Sequence, residues 1–338
     1  MPETIVLTGA SGFIAKHVAL AALKRGHSLR GTLRSLDRAE EVRAALKPHL
    51  TAPDALDRLS FHPAGLERDE GWPQAMAGAG AVIHCASPFP LAQPKDAQAL
   101  IRPAVEGALR VLKAAQAAGI GRVVLTSSTV AVLNEGKDAL QDEDDWCDLH
   151  LPGTTAYARS KTLAERAAWD LARSSGLRLT TINPGLVVGP PLDGQFGSSL
   201  DLMLRILKGR DPMLPPIGFP FVDVRDVAEM HLRALERPET AGRRYIASAG
   251  SMTLADVGRL FKSLYPTRRI PTREAPKLIV RLLALSDPLV RAILPKLGRL
   301  ERVSNLRATR EMGMTFLPVT EALKASADWL VRNGRVWA

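Results

Sequence analysis

The chain is poor in cysteine and in long apolar runs, and each shortage excludes a class of protein. Two cysteines in 338 residues exclude a disulfide-stapled scaffold and favour a reducing compartment. No apolar run approaches the roughly 20 residues that a membrane-spanning helix requires. The first residues lead directly into an apolar strand pattern, without a basic leader or a cleavage site. We therefore expect a cytoplasmic protein that does not bind a membrane.

Long runs of like charge are also missing, although the chain is basic overall. The net charge is +10, but residues 1–150 carry 16 basic and 18 acidic side chains, whereas residues 251–338 carry 16 and 7. A basic C-terminal part could bind nucleic acid, a membrane surface or an anionic ligand. Because its basic residues are scattered among apolar ones, we interpret the excess as a solvated arginine-rich surface and expect no nucleic-acid partner.

Short apolar runs alternate with helical spacing through the first half of the chain. Residues 4–8 form an unbroken apolar run typical of a strand buried on both faces, and helical spacing follows from 13 to 25. This alternation continues to about residue 182 and predicts an α/β fold, a doubly wound, mostly parallel Rossmann sheet with helices on both faces. Further on, residues 221–235 are predicted to be helical and residues 244–247 to form a last strand.

A glycine-rich loop follows the first strand. Gly9-Ala10-Ser11-Gly12-Phe13-Ile14-Ala15 has the pattern G-x-x-G-x-x-G/A between a buried strand and an amphipathic helix. Glycines permit a sharp turn and let a pyrophosphate reach bare N–H groups, while the helix N-terminus adds partial positive charge. We therefore predict a dinucleotide-binding domain of residues 1–185 with about 216–249. Residues of about 186–215 with 250–338 are predicted to form a smaller, mainly helical substrate-binding lobe.

The end of the second strand selects between the two nicotinamide cofactors. An acidic group there would bind a ribose 2′-hydroxyl, whereas a basic group would accept a 2′-phosphate. Arg34 occupies this place, and the nearest acid, Asp37, stands beside Arg38. Since a guanidinium pairs with phosphate through two parallel hydrogen bonds, we predict NADP(H) in preference to NAD(H), with Arg34 as the phosphate ligand and Arg38 as its helper.

Tyr157 and Lys161 form a Y-x-x-x-K pattern at the start of a predicted helix. A spacing of four places both side chains on one helical face. An ammonium beside a phenol stabilises the phenolate and lowers a tyrosine pKa that is about 10 when unperturbed. The phenol can then act as acid or base near neutral pH.

A serine pair lies at the carboxyl end of the fifth predicted strand, which faces the ligand crevice of a parallel sheet. Ser128 could donate a hydrogen bond to a substrate carbonyl oxygen. Ser127 is the neighbouring alternative, and spacing alone does not separate the two.

These features together resemble the extended short-chain dehydrogenases/reductases of the NAD-dependent epimerase/dehydratase family. The glycine loop, the Ser128/Tyr157/Lys161 set and the stretch Ile182-Asn183-Pro184-Gly185 carry the resemblance. Within the family the chain is similar to the dihydroflavonol-reductase-like branch, which includes cinnamoyl-CoA reductases and microbial NADPH-dependent aldehyde and carbonyl reductases. The similarity covers about residues 3–250, with further support from residues 30–35, 83–89, 157–169 and 221–228.

The resemblance implies an NAD(P)-dependent oxidoreductase that reduces a small aldehyde or ketone to an alcohol, as a monomer or homodimer. It implies that Ser128 polarises the carbonyl, that Tyr157 donates the proton, and that Lys161 lowers the tyrosine pKa and binds the nicotinamide ribose. Phe89 and Thr129 are the implied substrate contacts. The implied cofactor contacts are Gly9, Ser11, Gly12, Phe13, Ile14, Arg34, Ala86, Ser87, Tyr157, Lys161, Pro184 and Gly185.

Two positions depart from the family pattern. An Asp-Leu pair that contacts adenine usually follows the third strand, but this chain has Ala64-Gly65-Leu66, so no acid is assigned to the adenine. Plant cinnamoyl-CoA reductases carry an Asn-Trp-Tyr-Cys-type signature at the catalytic tyrosine. Here Thr155-Ala156-Tyr157-Ala158 stands instead, which argues against that specific activity.

Two other functions stay open at the level of sequence. One is an epimerase or dehydratase that acts on a nucleotide-sugar, whose nucleoside diphosphate would suit the basic C-terminal part. The other is a non-catalytic dinucleotide-sensing protein, for which a broken Ser/Tyr/Lys set would be expected, whereas this set is intact.

The remaining polar and sulfur-bearing residues are interpreted as structural. His84 and Cys85 lie inside a buried strand pattern, so we expect a packed histidine and an inert thiol. The acidic residues 142–145 are expected to form a solvated loop. No Cys or His spacing suggests a metal site, and we expect none.

Overall fold

The computed structural model describes residues 4–52, 54–88, 96–134, 139–285 and 288–336. The strands are β1 Thr4–Thr8, β2 Ser28–Leu33, β3 Leu59–Pro63, β4 Ala81–His84, β5 Arg122–Thr126, β6 Arg178–Pro184, β7 Leu186–Val188, β8 Gly218–Asp223, β9 Arg243–Ala247 and β10 Gly250–Thr253. The helices are α1 Phe13–Lys24, α2 Ala39–Leu46, α3 Trp72–Met76, α4 Gln98–Ala117, α5 Ala156–Ser175, α6 Ser198–Lys208, α7 Val224–Glu236, α8 Leu254–Leu264, α9 Lys277–Leu283, α10 Pro288–Ile293, α11 Leu306–Met312 and α12 Val319–Arg332.

The large sheet has seven strands among the described residues, in the order β3-β2-β1-β4-β5-β6-β9. Every neighbouring pair is parallel, and the central register aligns Ile5 with Leu29 on one side and with Ala81 on the other. Helices cover both faces, because strands buried on both sides need an apolar layer above and below. The predicted doubly wound parallel Rossmann sheet is therefore confirmed.

A second, three-stranded sheet was not predicted from the sequence. β8 lies between β7, which runs parallel to it, and β10, which runs antiparallel. The prediction of a helix over residues 221–235 was wrong at its start, because residues 221–223 complete β8 before α7 begins at Val224. β8, which lies in the stretch assigned to the dinucleotide-binding domain, thus pairs with β7 and β10 from the two predicted lobe segments, whereas β9 joins the large sheet.

The C-terminal part is mainly helical, as expected. α6, α8 and α12 pack on the small sheet around a core that includes Leu200, Phe221, Phe261 and Leu330. Two short helices, α9 and α10, follow in this part, with a short 3-10 turn, Leu294–Lys296, after them. Among the described residues, no helix combines the length and the apolar character needed to cross a membrane.

Candidate active site

The order of the large sheet creates a crevice between β1 and β4. The chain moves outward in one direction from β1 to β2 and β3, and in the other direction from β4 onward, so the loops after β1 and β4 diverge at the carboxyl edge. Open α/β sheets bind their ligands at such a switch point. The glycine loop and Ala86 therefore meet at this edge.

Gly9 needs its missing side chain for two reasons. Its backbone has φ +66°, and a Cβ there would lie 3.0 Å from the Cα of Ala86. The loop is held by hydrogen bonds from the Ala10 N–H to the Thr32 carbonyl at 3.1 Å and from the Gly12 N–H to the Gly9 carbonyl at 2.8 Å. The loop then enters α1, which directs its positive N-terminal end toward the crevice.

A cleft of about 880 Å³ opens at this point, and its walls fit a dinucleotide. The predicted cofactor residues that line it are Gly9, Ser11, Gly12, Arg34, Ala86 and Ser87. Bare loop backbone, a helix N-terminus and a guanidinium at one end supply the donors that a pyrophosphate and a ribose phosphate require.

The other predicted cofactor residues lie elsewhere. Phe13 and Ile14 start α1 and pack against the core, with the Phe13 ring edge-on to His17 at 5.6 Å. Pro184 ends β6 and is buried. Gly185 donates its N–H to the Ala247 carbonyl at 3.0 Å, and a Cβ at Gly185 would lie 2.4 Å from the Pro220 carbonyl oxygen. That close backbone approach explains why glycine stands at 185, and it does not itself test a cofactor contact.

Three arginines near the end of β2 and β3 have different surroundings. Arg34 lines the cleft, and no described residue forms an ion pair with it. Arg38 instead forms a two-pronged ion pair with Glu41, at 2.9 and 3.1 Å, and does not line the cleft. Arg68, which the sequence analysis missed, lines the cleft beside Gly65 and so takes the place expected for Arg38. No local signal marked Arg68, because it lies in a loop after β3.

Tyr157 and Ser128 are brought together by two helix starts. Thr155 caps α5 by accepting the Ala158 N–H at 3.1 Å, which fixes the first turn on which Tyr157 lies. Ser128 caps a 3-10 turn, Thr129–Ala131, and its Oγ accepts the Val130 N–H at 3.4 Å. The Tyr157 and Ser128 hydroxyls are hydrogen-bonded to each other.

The pKa of Tyr157 differs from the expectation. Burial raises the pKa of Tyr157 to about 12, and the hydrogen bond from Ser128 opposes this rise. The phenol therefore keeps its proton at neutral pH, which suits a group that donates a proton.

The two neighbouring serines are separated by their partners. Ser127 donates to a carboxylate oxygen of Glu165 at 2.5 Å and is 6% exposed. Ser128 is the serine that bonds to Tyr157. The alternative that the sequence left open is thus decided by a long-range contact.

Lys161 lies one helical turn after Tyr157 and is 8% exposed. It lines a small cavity of about 20 Å³ together with Ser87 and Glu165. Burial lowers the pKa of Lys161 to about 8, while the negative charge of Glu165 opposes that change. The lysine is therefore mostly protonated at neutral pH, because its pKa of about 8 lies only slightly above that pH.

Glu165 is a second residue of the candidate site that sequence reasoning missed. Its side chain is fully buried, and Arg244 donates to it at 2.7 Å. Asn183 donates to the same carboxylate at 2.8 Å and also to the Ser128 carbonyl at 3.2 Å. Since Ser127 bonds to it as well, Glu165 ties the serine loop to the helix that carries Tyr157 and Lys161. Its position four residues after Lys161 was the available signal.

The residues interpreted as structural mostly behave so. His84 Nδ1 lies 2.7 Å from the Thr8 hydroxyl, and burial lowers the pKa of His84 to about 3. Burial raises the pKa of the Cys85 thiol to about 12, so the thiol is inert. The solvated acidic loop was wrong at one position, because Glu143 is 3% exposed and accepts the Ile246 N–H at 2.9 Å.

The two predicted substrate contacts receive little support. Thr129 is only 3% exposed, so its side chain offers almost no surface to a ligand. Phe89 lies outside the described residues.

The sequence pattern of the NAD dependent epimerase/dehydratase family matches residues 5–248. The chain is 34% identical to cinnamoyl-CoA reductase 1 of Arabidopsis thaliana over 277 residues, which cover 80% of this chain and 77% of that protein. It is 32% identical to dihydroflavonol 4-reductase of Hordeum vulgare, over 80% of this chain and 77% of that protein.

Solved structures show the same relationship. The crystal structure of yeast methylglyoxal/isovaleraldehyde reductase Gre2 complexed with NADPH superposes with a TM-score of 0.80 at 27% identity, over 98% of this chain and 99% of that chain. The match spans both the large sheet and the C-terminal lobe. The chain belongs to the NAD dependent epimerase/dehydratase family, that is, to the extended short-chain dehydrogenases/reductases, and is an NAD(P)-dependent oxidoreductase of carbonyl and alcohol groups.

Proposed function

We propose that this protein reduces an aldehyde or ketone to an alcohol with NADPH, and that Tyr157 donates the proton. The observation that carries the proposal is the hydrogen bond between the hydroxyls of Tyr157 and Ser128, beside a cleft lined by the glycine loop. The similarity to reductases, one of them solved with NADPH, supports the same reaction.

The cofactor proposal is supported by the charge at one end of the cleft. Arg34 and Arg68 line that end, and neither is ion-paired with a described residue. A 2′-phosphate placed there would form charge-assisted hydrogen bonds with two guanidinium groups. An uncharged 2′-hydroxyl would gain no such ionic stabilisation. NADP(H) is therefore preferred over NAD(H), and when bound it supplies the hydride.

The protein's own residues then perform the acid–base work. The Ser128 hydroxyl donates a hydrogen bond to the substrate carbonyl oxygen and makes its carbon more electrophilic. Tyr157 carries its proton at neutral pH and transfers it to the developing alkoxide. The Lys161 ammonium, on the same helical face, offsets the negative charge left on the phenolate oxygen.

The experiment that tests the mechanism is Tyr157→Phe, followed by the loss of absorbance of NADPH with a panel of aldehydes, ketones, diketones and flavanonols. General acid catalysis is worth about 100-fold to 10,000-fold, so kcat is expected to fall by that factor while NADPH affinity, measured by fluorescence titration, stays unchanged. Tyr265→Phe is the matched control, because the Tyr265 hydroxyl lies far from the crevice, where it donates a hydrogen bond to Asp328 at 2.5 Å.

Two results would contradict the proposal. Near-normal turnover by Tyr157→Phe would remove its role as proton donor. A wild-type protein that binds dinucleotide, turns over no member of the panel and retains tightly bound NAD through purification would instead indicate nucleotide-sugar chemistry.

A further inference from the structure

A second large cavity lies next to the catalytic groups. Its volume is about 780 Å³, within the roughly 300–1,000 Å³ typical of small-molecule sites. One wall comes from the large-sheet part of the molecule and includes Val130, Leu133 and Ala158. The facing wall comes from the C-terminal lobe, residues 296–302. The cavity is thus formed between the two parts of the chain.

Backbone hydrogen bonds hold the C-terminal wall in place. The Gly218 N–H donates to the Arg299 carbonyl at 2.8 Å, and the Glu301 N–H donates to the Gly218 carbonyl at 3.1 Å. Gln141 donates to the Arg302 carbonyl at 3.3 Å and accepts the Ser304 N–H at 2.8 Å. Because both edges of the segment are tied to other elements, the wall is a fixed surface.

The cavity adjoins the residues proposed to handle the carbonyl. Val130, which lines it, donates its N–H to the Ser128 hydroxyl at 3.4 Å. Thr155 and Ala158, which also line it, flank Tyr157 on the first turn of α5. Ser128 and Tyr157 do not themselves line the cavity, so a substrate whose carbonyl oxygen they hold would extend past Val130 and Ala158 to fill it.

The described lining has threonines beside α5, an apolar middle and a cationic opposite wall. Leu133, Leu300 and Cys147 give it an apolar middle. Glu301, the one carboxylate in that lining, is ion-paired with Lys296 at 2.7 Å.

Two cations of the lining have no counter-charge among the residues that the structure describes. Arg299 is partly buried and Arg302 is exposed, and neither forms a side-chain hydrogen bond or ion pair with any described residue. The neighbouring acids Glu143 and Asp144 do not line the cavity and face Arg307, at 3.8 and 2.8 Å.

From this arrangement we infer that the cavity binds an anionic group at the far end of the carbonyl substrate, through Arg299 and Arg302. The substrate class is a carbonyl compound with an apolar spacer and a terminal carboxylate or phosphate. This inference rests on the proposed reductase function, because the carbonyl end is positioned by Ser128 and Tyr157. Guanidinium groups bind both anions through paired, charge-assisted hydrogen bonds.

The test compares matched substrates that differ in the charge of the terminal group and by one methyl group. We would measure kcat/KM with NADPH for ω-oxocarboxylic acids of increasing chain length, and for the methyl ester of each. One spacer length is expected to give an acid-to-ester ratio of at least about tenfold, the effect of one charge-assisted hydrogen bond of about 1.4 kcal/mol. The matching ω-oxoalkyl phosphate shows which of the two anions is preferred.

The variants Arg299→Gln and Arg302→Gln, alone and combined, identify the site. Each single variant is expected to lower the acid-to-ester ratio severalfold and the double variant to bring it close to one. Arg310→Gln is the control, because Arg310 is an exposed arginine on α11 that does not line the cavity. Raising the salt concentration should also reduce the ratio, since it screens the attraction.

Failure of this inference is distinguishable from failure of the proposed function. If esters are reduced in a Tyr157-dependent manner but the ratio is one, or if the double variant leaves the ratio unchanged, the reductase function stands and the anion site is overturned. If nothing is reduced, calorimetric titration of the NADP⁺-loaded protein with the same acids and esters gives their dissociation constants. An ester-to-acid ratio of these constants of about ten supports the anion site, and a ratio of one overturns it.

Discussion

The buried ion pair between Glu165 and Arg244 should be essential to the stability of this fold. The Glu165 side chain is fully buried and the Arg244 side chain is 8% exposed, with 2.7 Å between the paired atoms. Arg244 also donates to the Glu143 and Asp145 carbonyls and lies over the Trp146 ring at 3.7 Å from its centroid. Both side chains are therefore enclosed by protein, and neither can reach solvent when the other is removed.

Glu165→Ala is expected to cost about 3–5 kcal/mol of the free energy of unfolding, because it leaves a buried guanidinium without its counter-ion. Ser127, Thr181 and Asn183 lose the same acceptor, which prevents an easy local rearrangement. With a urea dependence of about 3 kcal/mol per molar, the unfolding midpoint should fall by about 1–2 M. Circular dichroism against urea measures this shift.

A double-mutant cycle isolates the pair from the other contacts. Arg244→Met removes the charge but keeps an apolar chain over Trp146, so Glu165→Ala with Arg244→Met should cost less than the sum of the single changes, by about 1–3 kcal/mol. Glu106→Gln is the matched control, because its pair with Arg102 is solvent-exposed and worth about 0–1 kcal/mol. A cost below about 1 kcal/mol for Glu165→Ala, or strict additivity in the cycle, would refute the reasoning.

Three further predictions concern the cofactor cleft and the pH dependence. Arg34→Gln should raise KM for NADPH by at least about tenfold while KM for NADH stays unchanged, because one charge-assisted contact to the 2′-phosphate is lost. Arg38→Gln is the control. An equal effect of Arg34→Gln on both cofactors would contradict the role of Arg34 as the 2′-phosphate ligand. Gly9→Ala should abolish cofactor binding in a calorimetric titration, because φ is +66° and the new Cβ would lie 3.0 Å from the Ala86 Cα; retained affinity would show that the loop adapts. The pKa of Lys161 is about 8, so its charge is present below that pH and lost above it. The reduction rate should therefore be level near pH 7 and fall above pH 8, and Lys161→Arg should move this fall to higher pH; a profile that stays level to pH 10 would exclude the lysine charge from the reaction.

Local signals were sufficient for much of the fold. The apolar run of β1, the glycine loop and the start of α1 follow one another within about twenty residues. Neighbouring side chains were therefore sufficient to predict this strand, loop and helix. The same holds for Tyr157 and Lys161, which share a helical face because of their spacing. The strand–helix alternation then predicted the parallel sheet, since parallel strands need crossover helices.

The small sheet could not be predicted from local sequence. β7 has three residues, and β8 contains Gly218 and Pro220, so neither shows a clear strand pattern by itself. These strands form because β8 finds partners on both sides, β7 at 186–188 and β10 at 250–253. Such pairing is a property of the folded chain and is not visible in a window of sequence.

The sequence by itself determined the parallel sheet, the glycine-rich loop after β1 and the shared helical face of Tyr157 and Lys161, because each depends on residues close together in the chain. Only the tertiary structure decided that Ser128 and not Ser127 faces Tyr157, because Glu165, 38 residues away from Ser127, binds Ser127. It likewise placed Arg244 on Glu165 from 79 residues away and set Arg299 and Arg302 opposite α5. Burial, partner choice and cavity shape arise from contacts between distant segments, and a linear pattern does not contain those contacts.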